Sequence, residues 1–235
     1  MKKLCILVSL AGALYAPTVQ AGLVQLYNDT SNFSWMNAGE FRAVTTDHSL
    51  DGVLQFYGDN AKNVLNGGGF QTFCIEHNEY FTPGRGYTWS ISPNAMYGGQ
   101  PSGGDPISQG TAFLYSQFAS GTWSLYNYTL GPGRVNSAHE LQRAIWALEN
   151  EDGGALSDAI KLALREEFGA ATTEADWRID NNGKYNVRAL NLGTPGCVQD
   201  QLVMVPEPST YIAAALLGFP VLVNGLRVWR KRRLR

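Results

Sequence analysis

The sequence is poor in charge and in cysteine, and it lacks the motifs of common hydrolases. Charged residues make up 16% of the 235 residues, and the formal net charge is −2. Ahead of the C-terminal tail there is no basic stripe or basic–aromatic patch, which argues against nucleic acid as a partner. Gly-x-Ser-x-Gly, His-Glu-x-x-His and paired-carboxylate patterns are absent. We therefore expect a protein that is not an enzyme and has no cofactor.

The acidic residues around His77 do not form a convincing metal motif. Glu76 is adjacent to His77, and Glu79 follows two residues later. Such close spacing does not converge on one ion without further ligands from elsewhere in the chain. We expect no metal site.

The N-terminus has the pattern of a secretory signal peptide. Lys2 and Lys3 precede an uncharged apolar run, residues 4–16, and small residues lead up to Ala21. The apolar run is shorter than the roughly 20 residues that span a bilayer. We predict that residues 1–21 are a signal peptide that is cleaved after Ala21.

The C-terminus, residues 205–235, has three parts. Pro-Glu-Pro at 206–208 comes first, an uncharged and mostly apolar segment at 210–226 follows, and six of the nine residues at 227–235 are Arg or Lys. Positive charge favours the cytoplasmic side, so the rest of the mature chain is expected in the periplasm. The apolar segment predicts a single transmembrane anchor helix, near the lower length limit for spanning.

This three-part arrangement resembles the PEP-CTERM sorting signal of Gram-negative bacteria. The resemblance implies that an exosortase recognises and cuts near Pro206, Glu207 and Pro208. It also implies that the membrane is at least a transient partner, and that the protein ends at the cell surface or in the extracellular matrix. Two prolines keep this segment extended, which suits binding in a transpeptidase cleft.

The segment between these ends, residues 22–204, is long enough for one domain with a hydrophobic core. Alternating apolar and polar residues predict strands at 22–27, 39–44, 69–75, 87–91, 185–192 and 200–205. Helical spacing predicts helices at 108–119, 137–149 and 156–168, with Ser137 and Glu140 as a capping box and Gly169 as a C-cap. We expect an α+β fold, a β-rich and sandwich-like single domain with a helical insertion.

Two cysteines remain after signal cleavage. Cys5 leaves with the signal peptide, whereas Cys74 and Cys197 enter an oxidising compartment. One interpretation is a Cys74–Cys197 disulfide in a non-catalytic structural or carbohydrate-binding module of a biofilm matrix.

A second interpretation of Cys74 comes from two short motifs. Phe-Cys-Ile-Glu occupies residues 73–76, and Leu-Gln-Arg-Ala-Ile-Trp occupies residues 141–146. Together they resemble the thioester domain of bacterial surface adhesins, over roughly residues 50–192. One departure is Leu141, where the common form of the motif has Thr. The resemblance implies an internal thioester between Cys74 and Gln142, and an amine-bearing surface or matrix partner that becomes covalently attached.

Thioester formation needs close contact of the pair, a proton relay and exclusion of water. The candidate relays are His139, about one helical turn before Gln142, and His77. The candidate shielding side chains are Phe73, Ile75 and Trp146. The alternatives are a Gln142 that only hydrogen-bonds at the edge of the core and a His139 that is solvated.

Overall fold

The computed structural model describes residues 22–28, 34–35, 38–96, 104–151, 154–193 and 198–206. The strands are β1 (Val24–Tyr27), β2 (Ser34–Trp35), β3 (Ala38–Gly39), β4 (Phe41–Thr45), β5 (Phe70–Thr72), β6 (Gly86–Tyr87), β7 (Trp89–Ser92), β8 (Asn94–Ala95), β9 (Asp105–Pro106), β10 (Val187–Leu192) and β11 (Gln201–Met204). The α-helices are α1 (Gln109–Ala119), α2 (Pro132–Leu148), α3 (Asp158–Phe168) and α4 (Glu174–Trp177). Short 3-10 helices cover Asp51–Phe56, Val64–Asn66 and Lys184–Asn186.

Antiparallel sheets form the β part of the domain. The larger sheet has the strand order β5-β4-β1-β6, and a second sheet has the order β11-β10-β7. Two further pairs are β2 with β3 and β8 with β9. Helices α1 to α4 follow one another between β9 and β10. The expected α+β class is therefore confirmed.

The strands arise where the sequence alternates, but two predicted strands differ in extent. Buried and half-buried residues alternate along β1 and β4, as expected for strands with one face on the core. The strand predicted at 87–91 is two strands, because β6 pairs in the larger sheet and β7 in the second. The strand predicted at 69–75 ends its ladder with β4 at Thr72, and only a single bridge continues it at Cys74.

Helix α1 connects the two sheets. Ser108 caps its start, because the hydroxyl oxygen accepts a hydrogen bond from the main-chain N–H of Thr111 at 3.1 Å. The Tyr115 hydroxyl lies 2.9 Å from the carbonyl oxygen of Gln71 in β5 and 3.0 Å from that of Leu202 in β11. The helix start predicted at Ser108 is confirmed.

Helix α2 begins earlier than its sequence pattern predicts. Its first residue is Pro132, which lacks an N–H and has a preset φ, and the preceding Gly131 has a φ of 126°. The predicted capping box of Ser137 and Glu140 is wrong, because both residues lie inside the helix. The Ser137 hydroxyl instead accepts from the main-chain N–H of Asn127 at 3.1 Å.

Helix α3 has the ends that its sequence predicts to within two residues. Ser157 is the N-cap, with its hydroxyl 3.4 Å from the N–H of Ile160, and Gly169 ends the helix with a φ of 114°. The short helix α4 was not predicted. It packs its Trp177 into the core.

The described helices include none that is long and apolar enough to cross a membrane. The predicted signal peptide, residues 1–21 with cleavage after Ala21, lies outside the described residues. Residues 207–235 lie outside them as well, so of the sorting motif only Pro206 is described. These assignments stay predictions.

Candidate functional site

The candidate site forms where the chain leaves β5 and meets the start of β11. The N–H of Leu202 donates to the carbonyl of Phe73 at 3.1 Å, and the N–H of Ile75 donates to the carbonyl of Asp200 at 3.0 Å. Cys74 lies between these bonds, opposite Gln201. Since neighbouring residues of a strand direct their main-chain groups to opposite sides, the N–H and C=O of Cys74 face away from β11 and need other partners.

Gln142 of α2 supplies both partners. Its side-chain oxygen accepts from the N–H of Cys74 at 3.0 Å, and its side-chain nitrogen donates to the carbonyl of Cys74 at 2.8 Å. Both residues are fully buried. Two residues that are 68 positions apart in sequence are thus in direct contact, and the carboxamide of Gln142 is held by a two-point contact.

The thiol of Cys74 is free and buried. The side-chain nitrogen of Gln201 lies 3.4 Å from the sulfur. Burial raises the pKa of the Cys74 thiol well above its usual range, and the nearby Glu76 carboxylate raises it further. The thiol is therefore protonated at neutral pH. Cys197, the other half of the alternative disulfide, lies outside the described residues.

The side chains that cover the sulfur differ from the expected set. Phe73 and Ile75 pack in the main hydrophobic core, whereas Cys74 packs with Phe41 and Trp146 in a separate small cluster. This split follows from the alternation of side chains along an extended chain. Of the three shielding residues named from the sequence, Trp146 alone lies on the side of the sulfur.

An additional cover comes from Phe81, which is half-buried and packs against this cluster. The rings of Phe41 and Phe81 meet edge to face, with centroids 4.8 Å apart. We define the aromatic cover as Phe41, Phe81 and Trp146. Sequence reasoning missed Phe41 and Phe81, because their contact with residue 74 depends on how the chain folds back.

The two candidate histidine relays lie in different surroundings. The ring of His77 meets the ring of Trp146 edge to face at 4.6 Å, and the main-chain N–H of His77 donates to Glu151 at 3.1 Å. His139 is in α2, where burial and the charge of Arg143 lower its pKa. His77 therefore lies against the aromatic cover, and His139 is uncharged at neutral pH.

Two buried carboxyl groups, those of Glu76 and Asp200, belong to residues near the Cys74–Gln201 bridge. One oxygen of Glu76 accepts from the N–H of Asp200 at 3.0 Å, and Glu76 is only 2% exposed. Burial, and then the charges of Asp200 and Glu79, raise the pKa of Glu76 to about 9. Burial also raises the pKa of Asp200 to about 7, although its two oxygens accept from the N–H groups of Leu192 and Met96 at 2.9 and 2.6 Å.

Sequence reasoning included Glu76 in the Phe-Cys-Ile-Glu motif at residues 73–76 and weighed it as a poor metal ligand, but gave it no role in the reaction. Within the described ranges, no cluster of three or more His, Cys, Asp and Glu side chains is arranged to hold a metal ion. The burial of Glu76 and its bond to Asp200 depend on segments 124 residues apart in the chain, so no local pattern predicted them. Gln201 carried no local signal either.

No protein-family model, no curated protein and no solved structure matches this chain. Its chemistry is therefore inferred from the site alone. A buried thiol next to a buried primary carboxamide can form a thioester, with loss of ammonia. The same contact can also serve structure, because the carboxamide satisfies two buried main-chain groups.

Proposed function

We propose that this chain is an exported cell-surface or extracellular-matrix protein in which Cys74 and Gln142 form an internal thioester for covalent adhesion. The observation that carries the proposal is the two-point contact, at 3.0 and 2.8 Å, that holds the Gln142 carboxamide beside a free buried thiol. Reactive groups held in a fixed mutual position react far faster than the same groups free in solution.

Formation of the thioester is a simple exchange. The sulfur of Cys74 attacks the side-chain carbonyl carbon of Gln142, a carbon–sulfur bond forms, and the carbon–nitrogen bond breaks. Ammonia leaves with the proton of the thiol. The N–H of Cys74 already donates to the carbonyl oxygen of Gln142, so it stabilises the negative charge that develops on that oxygen.

The thioester then captures a partner. A primary amine attacks the carbonyl carbon, an amide bond forms, and the thiol of Cys74 is released. Each molecule reacts once, so the protein is an adhesin and not an enzyme. The aromatic cover limits access of water to the sulfur, which protects the thioester from hydrolysis.

Delivery to the surface is proposed from the two ends of the sequence. The signal peptide, residues 1–21, directs export, and the segment at 210–226 holds the chain in the inner membrane. An exosortase then acts near the motif at 206–208. The domain between them, residues 22–204, is proposed to be sandwich-like, with its helices as an insertion.

A structural or carbohydrate-binding matrix module is the second candidate. The specific observation in its favour is that the Gln142 carboxamide satisfies both main-chain groups of Cys74. In that case the contact between Gln142 and Cys74 has only a structural role, and a disulfide bond between Cys74 and Cys197 is expected to stabilise the domain.

Intact mass of the exported protein separates the two candidates. A thioester lowers the mass by one ammonia molecule, and methylamine then adds its own mass at Gln142. A disulfide lowers the mass by two hydrogens, which a reductant restores. An unmodified mass that methylamine does not change contradicts the thioester.

Cys74→Ala is the matched control, because it removes the sulfur and keeps the main-chain groups that hold Gln142. We expect this variant to be exported and folded, with no loss of ammonia and no methylamine uptake. Uptake that persists in Cys74→Ala places the reaction elsewhere in the chain.

A further inference from the structure

Glu76 is the acidic side chain nearest to Cys74 along the chain, and it is locked to the strand opposite. Its main-chain carbonyl accepts from the side-chain nitrogen of Gln199, and one carboxyl oxygen accepts from the N–H of Asp200 at 3.0 Å. Gln201, the next residue of that strand, touches the sulfur of Cys74. The Glu76 carboxyl is thus bonded to the residue before Gln201, and its charge acts on the Cys74 thiol.

The second carboxyl oxygen of Glu76 is buried and has no hydrogen-bond partner among the described residues. Leaving a buried polar atom without a partner is unfavourable, so such an atom in a folded protein calls for an explanation. A role in proton transfer is one such explanation.

Charged and titratable groups approach Glu76 from each neighbouring segment. Asp200 lies just before β11, Glu79 lies in the following loop, and the Cys74 thiol precedes Glu76 in the chain. Asp200 receives two main-chain N–H bonds, which favour its charged form. Negative charge therefore stays on Asp200 more readily, and Glu76 is the member of the pair that keeps its proton to the higher pH, so its carboxylate form becomes more populated as the pH rises.

We propose that Glu76 is the proton carrier of the Cys74–Gln142 reaction, a role that rests on the proposed thioester. Its carboxylate takes the proton from the Cys74 thiol as the sulfur attacks the carbonyl carbon. The resulting carboxylic acid gives the proton to the nitrogen of Gln142 as the carbon–nitrogen bond breaks. Ammonia leaves, and Glu76 ends in the form in which it began.

Capture of an amine is the same sequence in reverse. The Glu76 carboxylate takes a proton from the attacking amine and returns it to the sulfur of Cys74 as the carbon–sulfur bond breaks. One side chain serves both directions, as microscopic reversibility requires. The distinct expectation is that the rate rises with pH and levels off near the pKa of Glu76, about 9.

The test uses the exported protein and methylamine, with uptake followed by intact mass between pH 6 and pH 10 at a constant concentration of the uncharged amine. Wild type is expected to level off near pH 9. Glu76→Gln, which keeps the shape of the side chain, is expected to react at least tenfold more slowly at pH 7 or to retain ammonia at Gln142. The rate of methylamine uptake by Glu76→Gln is expected to show no levelling-off with pH.

Glu79→Gln is the comparison variant. It removes a neighbouring negative charge, so the reaction persists and the levelling-off moves to lower pH. Thermal unfolding of each variant checks the fold. If Glu76→Gln does not fold, Glu76→Asp decides: slower uptake that still levels off supports the assignment, and a profile without levelling-off overturns it.

Two failures are distinguishable. If wild type neither loses ammonia nor takes up methylamine, the thioester and the role of Glu76 are both overturned. If Glu76→Gln folds and reacts at the wild-type rate with the wild-type profile, the thioester stands and Glu76 is not its proton carrier.

Discussion

Helix α2 contributes to two buried polar centres. They differ in how many of their buried polar atoms have a hydrogen-bond partner. In the first, the Arg134 centre, Arg134 forms an ion pair with Glu40, including a bond of 2.8 Å from Nε. Tyr126 donates to the same carboxylate at 2.6 Å. The guanidinium also donates to the carbonyls of Tyr128 and Asn60 at 2.7 and 2.9 Å.

In the second, the Cys74 centre around Cys74 and Gln142, several buried atoms lack a hydrogen-bond partner among the described residues. These atoms are Glu76 Oε1, Glu79 Oε2, Trp146 Nε1 and Gln201 Oε1. A network with all its bonds made stabilises and rigidifies a fold, whereas unpartnered polar atoms lower stability. The comparison indicates that the Arg134 centre contributes more to stability than the Cys74 centre, where the proposed reaction takes place.

The largest expected effect is at the Arg134 centre. Arg134→Met leaves the buried Glu40 carboxylate without its ion-pair partner, which costs about 3–5 kcal/mol in the free energy of unfolding. Denaturant unfolding followed by tryptophan fluorescence measures it. The double variant with Glu40→Leu is expected to recover most of the loss. A single variant as stable as wild type contradicts the structural role of this pair.

The next effect separates the two roles of Gln142. Gln142→Ala leaves the N–H and C=O of Cys74 without partners, so we expect the free energy of unfolding to fall by about 1–3 kcal/mol. Cys74→Ala removes only the thiol group and is expected to cost about 1 kcal/mol. Both variants are expected to abolish the methylamine uptake that the proposed thioester predicts. Equal stability of the two variants argues against the two-point contact.

The pH dependence of stability is a third test. The pKa of Glu76 in the folded state is raised from 4.5 to about 9, so the folded protein holds a proton that the unfolded chain releases. This contribution to the free energy of unfolding is fully present below pH 4.5 and is lost as the pH rises toward 9.

Asp200, with a pKa raised from 3.8 to about 7, acts in the same direction. We expect the free energy of unfolding to fall between pH 5 and pH 9, and Glu76→Gln to reduce that fall. Denaturant unfolding of wild type and Glu76→Gln, measured at several pH values across this range, tests the prediction. A fall of the same size in Glu76→Gln assigns the effect to other carboxyls.

The smallest expected effect concerns the aromatic cover. Phe81→Ala removes the edge-to-face contact with Phe41 and opens a path to Cys74, at a cost of about 0.5–1.5 kcal/mol. Methylamine uptake and hydrolysis are both expected to become faster. Tyr80→Ala is the matched control, because Tyr80 is 73% exposed. Equal acceleration by both variants argues against a specific cover at Phe81.

Much of the fold was predictable from local patterns, whereas the failure at Ser137 has a tertiary cause. Ser108 and Gly169 mark the helix ends that the sequence predicted, because caps act within one turn of the chain. The prediction of Ser137 as an N-cap failed, because a serine inside a helix can instead form a tertiary hydrogen bond. Here the Ser137 hydroxyl accepts from the N–H of Asn127. A capping pattern alone does not distinguish these two uses.

The sequence by itself determined the alternation of β1 and β4, the helix ends at Ser108 and Gly169, and the choice of Cys74 and Gln142 as the pair of interest. The tertiary structure decided that their contact is a two-point one, and that the side-chain nitrogen of Gln201 lies 3.4 Å from the sulfur. The physical reason is the separation in sequence of the residues that interact. Caps and alternation depend on neighbours in the chain, whereas the surroundings of Cys74 depend on a pairing of segments 127 residues apart.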